Sequence, residues 1–181
     1  KGLVGGHSGM DIILCRANAN KVLVRALLPL LRDLDARLIN IEGGNMRNAI
    51  PREGVAYIAV PEAKLTEAKA LVAKVEAEVK VEYAATDKDA KVFLEDAPIA
   101  GEAICQQVAL NLCKALYGCP SGVERMSDAM PGLVETSNNM AIVKSENGTI
   151  SVHSLMRSSV DTAKDDLAVR MRAAFELAGA E

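Results

Sequence analysis

The chain has 181 residues and a formal net charge of −3; half of its residues are hydrophobic, Trp is absent and aromatic residues make up 3%. This length allows one domain with a substantial core, or two small packed halves, and the core must be built from aliphatic side chains. Acidic and basic residues are interleaved, which argues against a nucleic-acid partner. No apolar run approaches the ~20 residues that span a bilayer, which argues against a membrane partner. No secretory signal precedes the first motif, which argues against secretion.

The first half of the chain predicts helices and strands in alternation. Leucines at 4-3-4 spacing (Leu23, Leu27, Leu30 and Leu34) mark the first helix, in which Pro29 predicts a kink or a local break. The predicted elements are a helix over 18–35, strands over 37–41 and 55–60, a helix over 62–77 and a strand over 79–84, followed by a polar linker at 86–90.

The second half partly repeats this order. It predicts a helix over 98–117 that ends at Gly118, an irregular stretch over 119–132, strands over 134–144 and 149–157, and an amphipathic helix over 161–178. Both halves therefore have the order helix-strand-strand-helix. We predict an α+β fold of antiparallel sheets packed with amphipathic helices, in which 1–86 and 98–181 form two related units.

A hairpin joins the two late strands. Asn147-Gly148 between two strand-like runs predicts a type I′ turn. Regular pairing from this turn places Asn138 opposite Arg157. It also places Ile142 opposite His153, so that His153 and Arg157 point to the same face of the sheet.

The four cysteines do not form a metal-binding pattern. Cys15, Cys105, Cys113 and Cys119 include no CxxC pair, and no histidine lies at ligand spacing from them. We expect four reduced, buried thiols and no metal site in this chain.

The segment Gly5-Gly6-His7-Ser8-Gly9 presents one of only two histidines among small residues. Glycines let a backbone approach a ligand closely, and an imidazole can donate or accept a proton near neutral pH. His7 is therefore either a substrate-contacting residue or an exposed loop histidine. Ser8 as a nucleophile would need a base and an orienting acid, and the chain has no GxSxG motif.

Two further polar features are candidates for binding. The loop over 43–52 contains two glycines, two asparagines and two arginines between strands, which is typical of a binding loop or of a solvated connection. Arg157 ends a strand, where its guanidinium can bind a carboxylate or phosphate, or simply lie at the surface. His153 faces an isoleucine in the predicted sheet, and we interpret it as structural.

Six segments, taken in order along the chain, resemble the aminoacyl-histidine dipeptidases (Xaa-His dipeptidases, bacterial carnosinases). They are GLVGGHSGMDI at 2–12, RANANK at 16–21, GGNMRNAIPRE at 43–53, RMSD at 125–128, GLVETSN at 132–138 and RSSVD at 157–161. Because these motifs are long and cover nearly the whole chain, the resemblance is specific.

The resemblance implies that this is the ferredoxin-like lid, or dimerisation domain, of a dizinc peptidase. In that family the ligands of the two zinc ions and the general-base glutamate lie in a separate catalytic domain, which this chain lacks. The first residue is Lys and the second already belongs to a motif, so we expect a piece of a longer protein. The resemblance also implies a cytoplasmic homodimer, and it implies that the isolated chain is inactive.

Three residues acquire roles through the resemblance. His7 is similar to the lid histidine that contacts the scissile carbonyl oxygen and stabilises the developing oxyanion. Asn48 resembles an amide that contacts the substrate. Arg157 resembles the arginine that binds the free C-terminal carboxylate of a dipeptide such as β-alanyl-histidine.

Two other classes of function remain open at this stage. An exposed edge strand would suit a non-catalytic dimerisation or interaction module. A small-molecule regulatory domain of ferredoxin-like type fits the same α+β pattern, on analogy of fold alone.

Overall fold

The computed structural model describes residues 1–98 and 101–181, and within them it has four α-helices and seven strands. The helices are α1 (Ala19–Asp33), α2 (Leu65–Glu82), α3 (Gln106–Gly118) and α4 (Asp161–Leu177). The strands are β1 (Gly6–His7), β2 (Arg37–Gly43), β3 (Ala49–Ile50), β4 (Gly54–Ala59), β5 (Gly122–Met126), β6 (Val134–Glu146) and β7 (Thr149–Ser158). The predicted α+β class is confirmed.

The long strand β6 organises the main sheet, in which all pairs are antiparallel. Along one edge β6 pairs with β7 over almost its full length. Along its other edge it pairs with β5 at its beginning and with β2 near its end, and β2 pairs in turn with β4. Strands from both halves of the chain therefore form one five-stranded sheet, while β1 and β3 form a separate two-stranded sheet.

The helices cover one face of the main sheet and form an aliphatic core, as the composition predicts. The largest fully buried apolar side chains are Leu30, Leu31, Leu38, Ile41, Leu116, Met140 and Leu167. They come from three helices and from strands of both halves. None of the described helices is long and apolar enough to span a bilayer.

The hairpin between β6 and β7 has the predicted turn. Asn147 and Gly148 have φ angles of 51° and 75°, and positive φ at both central residues is what a type I′ turn requires. Pairing follows the predicted register as far as Ile142 and His153.

Beyond that pair the predicted register is wrong by one residue. A β-bulge lies between Met140 and Ile142, so the additional residue on β6 shifts every later pair. Arg157 lies opposite Ser137 and not opposite Asn138.

The predicted strand over 79–84 is also wrong, because α2 continues to Glu82. Its buried residues Ala68, Val72, Val75 and Val79 recur every three or four positions, so the apolar stripe of the helix extends through the segment assigned to a strand. The first residues of the predicted helix, Glu62–Lys64, form a short 3₁₀ turn. Similarly, α1 continues through Pro29 to Asp33 without the predicted local break, and its buried Leu30 and Leu31 pack in the core on that turn.

Two boundaries in the second half differ from the prediction. Helix α3 begins at Gln106 and not at 98; part of the predicted start, residues 99–100, lies outside the described residues. The stretch predicted to be irregular contains β5, which pairs with β6 through two register shifts. Such an irregular strand has no clean alternation of apolar and polar residues, and the sequence pattern therefore does not reveal it.

All four thiols are free, but only Cys113 and Cys119 are buried. The prediction of four buried thiols is wrong for the other two. Cys15 caps a short 3₁₀ turn with φ of 51°, and Cys105 is the N-cap residue of α3. Both lie at the ends of elements, where side chains remain accessible.

Candidate functional site

His7 lies on β1 with an exposed side chain, and its ring is held by backbone amides of its own loop. The Nδ1 atom accepts hydrogen bonds from the amides of Gly9, at 3.2 Å, and of Met10, at 3.1 Å. In a neutral imidazole, an acceptor Nδ1 requires that Nε2 carries the hydrogen. The ring therefore offers an N–H donor at Nε2.

Gly6 allows two charged side chains to pack against the backbone just before His7. Its φ is +143°, and a Cβ at this position would lie 2.6 Å from Arg16 Nη1 and 2.7 Å from Asp11 Oδ2. Arg16 donates to the Gly5 carbonyl at 2.6 Å, and Asp11 accepts from the His7 amide at 2.7 Å. Any larger residue at position 6 would displace these contacts.

The end of β7 brings Arg157 to the His7 ring. A Cβ built on Gly9 would lie 3.1 Å from His7 Cε1 and 3.4 Å from Arg157 Nε, so the two side chains border the same small space. Arg157 is exposed. Within the described part of the chain, the ion pairs that arginines form with carboxylates involve Arg16, Arg25, Arg32, Arg125 and Arg170, and not Arg157. Its guanidinium is thus available to an external anion.

Asn48 lies beside the same loop. Its carbonyl accepts a hydrogen bond from the amide of Ser8 at 2.9 Å, and the next residue, Ala49, pairs with His7 in the two-stranded sheet. Its side chain is exposed. All three residues proposed from the motifs, from distant parts of the chain, are therefore neighbours on one face. His153, also exposed, lies further along β7 opposite Ile142.

Asn139, on β6, holds the loop that carries Asn48. It is 1% exposed, and its Nδ2 donates to the Ala49 carbonyl at 2.7 Å and to the Arg47 carbonyl at 3.3 Å. Asn18 Nδ2 is 3.5 Å from Asn139 Oδ1 and donates to the Met140 carbonyl at 3.0 Å. The Asn139 side chain thus fixes the loop to the central strand β6, and Asn18, the N-cap residue of α1, lies beside it.

The Gly43-Gly44 pair explains how the loop leaves the main sheet. A Cβ at Gly43 would lie 2.0 Å from Asn20 Oδ1, and one at Gly44 would lie 1.9 Å from the Ala141 carbonyl oxygen. Ala141 is the residue at the bulge of β6. Glycines are required here because the backbone lies directly against the Asn20 side chain of α1 at Gly43 and against β6 at Gly44.

Asp87 ties the segment after α2 to the beginning of the chain. Its side chain is fully buried; Oδ1 accepts from the Val4 amide at 2.8 Å and Oδ2 from the Ala17 amide at 2.9 Å. The sequence indicated only a polar linker at this point. In the structure this carboxylate anchors the residues on both sides of the His7 loop.

The arginines near the site fall into two groups. Arg16 and Arg52 donate to the carbonyls of Gly5 and Leu3, at 2.6 and 3.3 Å, and so stabilise the loop backbone. Arg157 and Arg47, which directly precedes Asn48, have exposed side chains. The site is therefore suited to a ligand that carries negative charge.

The residues present do not form a metal centre or a serine nucleophile. In the part of the chain that the structure describes, no group of three or more His, Cys, Asp or Glu side chains is arranged to hold a metal ion. Ser8 is 1% exposed, and its Oγ has no hydrogen-bond partner among the described residues, so no base activates it.

Sequence reasoning missed the buried polar residues beneath the site. The signal was present: Glu135-Thr136-Ser137-Asn138-Asn139 is a polar run inside the longest strand, and all five residues are buried. Polar side chains in a central strand need partners. Here Asn139 bonds the loop that carries Asn48, Asn138 bonds the Pro120 carbonyl, and Thr136 bonds Ser158 of β7.

Comparisons with known proteins find similar chains among dipeptidases. Residues 1–87 match the family described as the peptidase dimerisation domain of the M20 type. The whole chain is 39% identical to the cytosol non-specific dipeptidase of Escherichia coli (strain K12), of which it spans 37%. It also superimposes with a TM-score of 0.96 and 36% identity on the aminoacylhistidine dipeptidase of Vibrio alginolyticus, again over 100% of this chain and 37% of that one.

Proposed function

We propose, on the premise that the confirmed resemblance to aminoacyl-histidine dipeptidases extends to their chemistry, that this chain is the lid of a cytoplasmic, metal-dependent dipeptidase. The substrates are Xaa-His dipeptides such as β-alanyl-histidine. The observation that carries the proposal is the convergence of His7 and Arg157 within 3.4 Å of the Cβ position of Gly9. A hydrogen-bond donor (His7) and a cation (Arg157) this close together suit a short peptide, in which the scissile carbonyl and the C-terminal carboxylate are near each other.

His7 is the residue proposed to contact the scissile carbonyl oxygen. Its Nε2–H, left as the donor because Nδ1 accepts from Gly9 and Met10, stabilises negative charge as it develops on that oxygen. The ring needs no rearrangement to do so, because the loop already holds it.

Arg157 is proposed to bind the C-terminal carboxylate of the dipeptide. A guanidinium forms two parallel hydrogen bonds with a carboxylate, and this geometry requires a free C-terminus. The side-chain amide of Asn48 is proposed as a third contact to the substrate. Together the three residues would confine the enzyme to short peptides.

Metal chemistry is assigned to the part of the full-length protein outside this chain. Because the described residues provide no metal-binding cluster, we propose that the ligands of two zinc ions and the general-base glutamate belong to that catalytic domain. Closure of the lid then brings His7, Asn48 and Arg157 onto the bound dipeptide and excludes water. The isolated chain is expected to be inactive.

The test is hydrolysis of β-alanyl-histidine with added zinc, compared among this chain, the full-length protein and two full-length variants. His7→Ala should lower kcat/KM roughly 100- to 1,000-fold, the loss typical of one oxyanion donor. His153→Ala is the matched control, since it removes the other histidine of the chain and should retain activity. Turnover by this chain alone, or an active His7→Ala variant, would refute the proposal.

Dimerisation is the second candidate function, favoured by the family match of residues 1–87. In the described residues, β4 and β7 each have a strand neighbour on one side only, so both offer a free edge. We propose a homodimer in addition to the lid role. If assembly were the sole function, Arg157→Ala would leave hydrolysis unchanged; on the lid proposal it reduces hydrolysis while the oligomeric state stays the same.

A further inference from the structure

The His7 loop contains a carboxylate to which the proposed function assigns no role. Asp11 makes two bonds to His7: its Oδ2 accepts from the His7 amide at 2.7 Å, and its own amide donates to the His7 carbonyl at 2.9 Å. These bonds close a turn from His7 to Asp11. Arg16 Nη1 lies 3.8 Å from Asp11 Oδ2 and also donates to the Gly5 carbonyl, so the turn is held to the preceding backbone.

The turn has a direct consequence for the imidazole. The amides of Gly9 and Met10, which lie inside it, both donate to Nδ1. The lone pair of Nδ1 is therefore occupied twice, and a hydrogen on Nδ1 would clash with two N–H groups. Only the tautomer with hydrogen on Nε2 satisfies this geometry.

We propose that Asp11 is a positioning residue that holds His7 as the Nε2–H tautomer. It follows that His7 offers a hydrogen-bond donor at Nε2 and does not act as a base, because Nε2 already carries its hydrogen and Nδ1 is engaged by the loop. The catalytic consequence rests on the proposed function; the state of the imidazole does not.

The packing around Gly6 supports this role. The Cβ of Asp11 would lie 2.8 Å from a Cβ at Gly6, and its Oδ2 would lie 2.7 Å from it. The carboxylate is thus seated against the backbone, where only a glycine leaves room for it. A side chain that merely lay at the surface would not need this space.

The imidazole can be observed directly. In this chain labelled with ¹⁵N, two histidines give the only imidazole signals, and His153→Gln leaves those of His7. At a pH above the titration of imidazole, the ¹⁵N shifts of a single tautomer are widely separated, whereas exchange between tautomers averages them. We expect a wider separation for His7 than for the exposed His153. Equal separations, or hydrogen on Nδ1, would overturn the proposal.

Asp11 variants test the cause. Asp11→Ala removes the acceptor for the His7 amide. The difference between the two imidazole ¹⁵N shifts of His7 should therefore narrow toward that of His153. Asp11→Asn retains an oxygen in the same place and should restore it at least in part. An unchanged separation in Asp11→Ala, with the amide spectrum still well dispersed, would contradict the positioning role.

The NMR result and the activity of the His7→Ala variant together distinguish a failure of this proposal from a failure of the proposed function. An averaged His7 ring in a protein that His7→Ala inactivates would refute the tautomer and leave the lid proposal standing. A fixed Nε2–H tautomer in a protein that tolerates His7→Ala would do the reverse.

Discussion

At the scale of single residues, the candidate site depends on contacts that only glycine permits. Gly9 is the clearest case, because the His7 ring and the Arg157 guanidinium both border its missing side chain. Its φ lies outside the left-handed region, so alanine would be acceptable to the backbone. Any effect of Gly9→Ala on activity would therefore come from displacement of the His7 or Arg157 side chain.

We therefore predict that Gly9→Ala lowers kcat/KM of the full-length enzyme while the protein remains folded. The added Cβ, 3.1 Å from His7 Cε1, must push the ring or the guanidinium by a few tenths of an ångström. Displacement of positioned groups typically costs roughly tenfold to a hundredfold in rate. Gly118→Ala is the control, because a Cβ there meets nothing within 4 Å. Equal activities of the two variants would show that the convergence has no catalytic importance.

The thiols should differ in reactivity. The amides of Val108 and Gln107 at the start of α3 lower the pKa of the exposed Cys105, whereas burial raises the pKa of Cys113 to about 12. Because the thiolate is the reactive form, alkylation by iodoacetamide at neutral pH should modify Cys105 first and Cys113 last. Mass spectrometry of a time course measures the order, and early labelling of Cys113 in folded protein would contradict the structure.

At the scale of elements, buried amides attach the loop between β2 and β4 to the central strand. We predict that Asn139→Ala lowers the free energy of unfolding by about 1–3 kcal/mol, since the carbonyls of Ala49 and Arg47 lose a buried donor. Urea denaturation measures the change. Asn111→Ala, which removes a bond to Gln107 on the same helix, should cost less. Equal costs would mean that the loop does not depend on Asn139.

Local patterns predicted many of these elements. The Asn147-Gly148 turn set the β6–β7 register correctly up to His153, because turn type and side-chain alternation act over neighbouring residues. The bulge near Ala141 was not predictable in the same way. It lies where the distant Gly44 passes within contact of the Ala141 carbonyl, a tertiary contact that no local pattern encodes.

The sequence motifs indicated which residues belong to the candidate site, but not that these residues lie close together. Motifs that resemble the family indicated His7, Asn48 and Arg157. Without those motifs, each of these residues could equally be interpreted as an ordinary exposed residue. Their proximity depends on β1 pairing with β3 and on the loop lying over β6. Asp11 and Asn139 were overlooked because their roles depend on hydrogen-bond partners that the sequence does not reveal. These partners are the His7 amide for Asp11 and the loop carbonyls for Asn139.

At the scale of the whole molecule, both halves of the chain contribute to one sheet and one core. β6 pairs with β2 and β5, which precede it in sequence, and with β7, which follows it. The end of β7 thereby meets the His7 loop. This meeting supports the proposed lid, which would close over a charged dipeptide.

The proposed lid depends above all on recognition of the substrate's free carboxylate by Arg157. The most direct measurement compares kcat/KM for β-alanyl-histidine and its C-terminal amide, in the full-length enzyme and in Arg157→Ala, with Arg172→Ala, an exposed arginine on α4, as control. We expect a preference for the free carboxylate of roughly tenfold to a hundredfold, from ~1.5–3 kcal/mol for a charged hydrogen bond. Arg157→Ala should abolish this preference and Arg172→Ala should retain it. An unchanged preference in Arg157→Ala would contradict this role of Arg157.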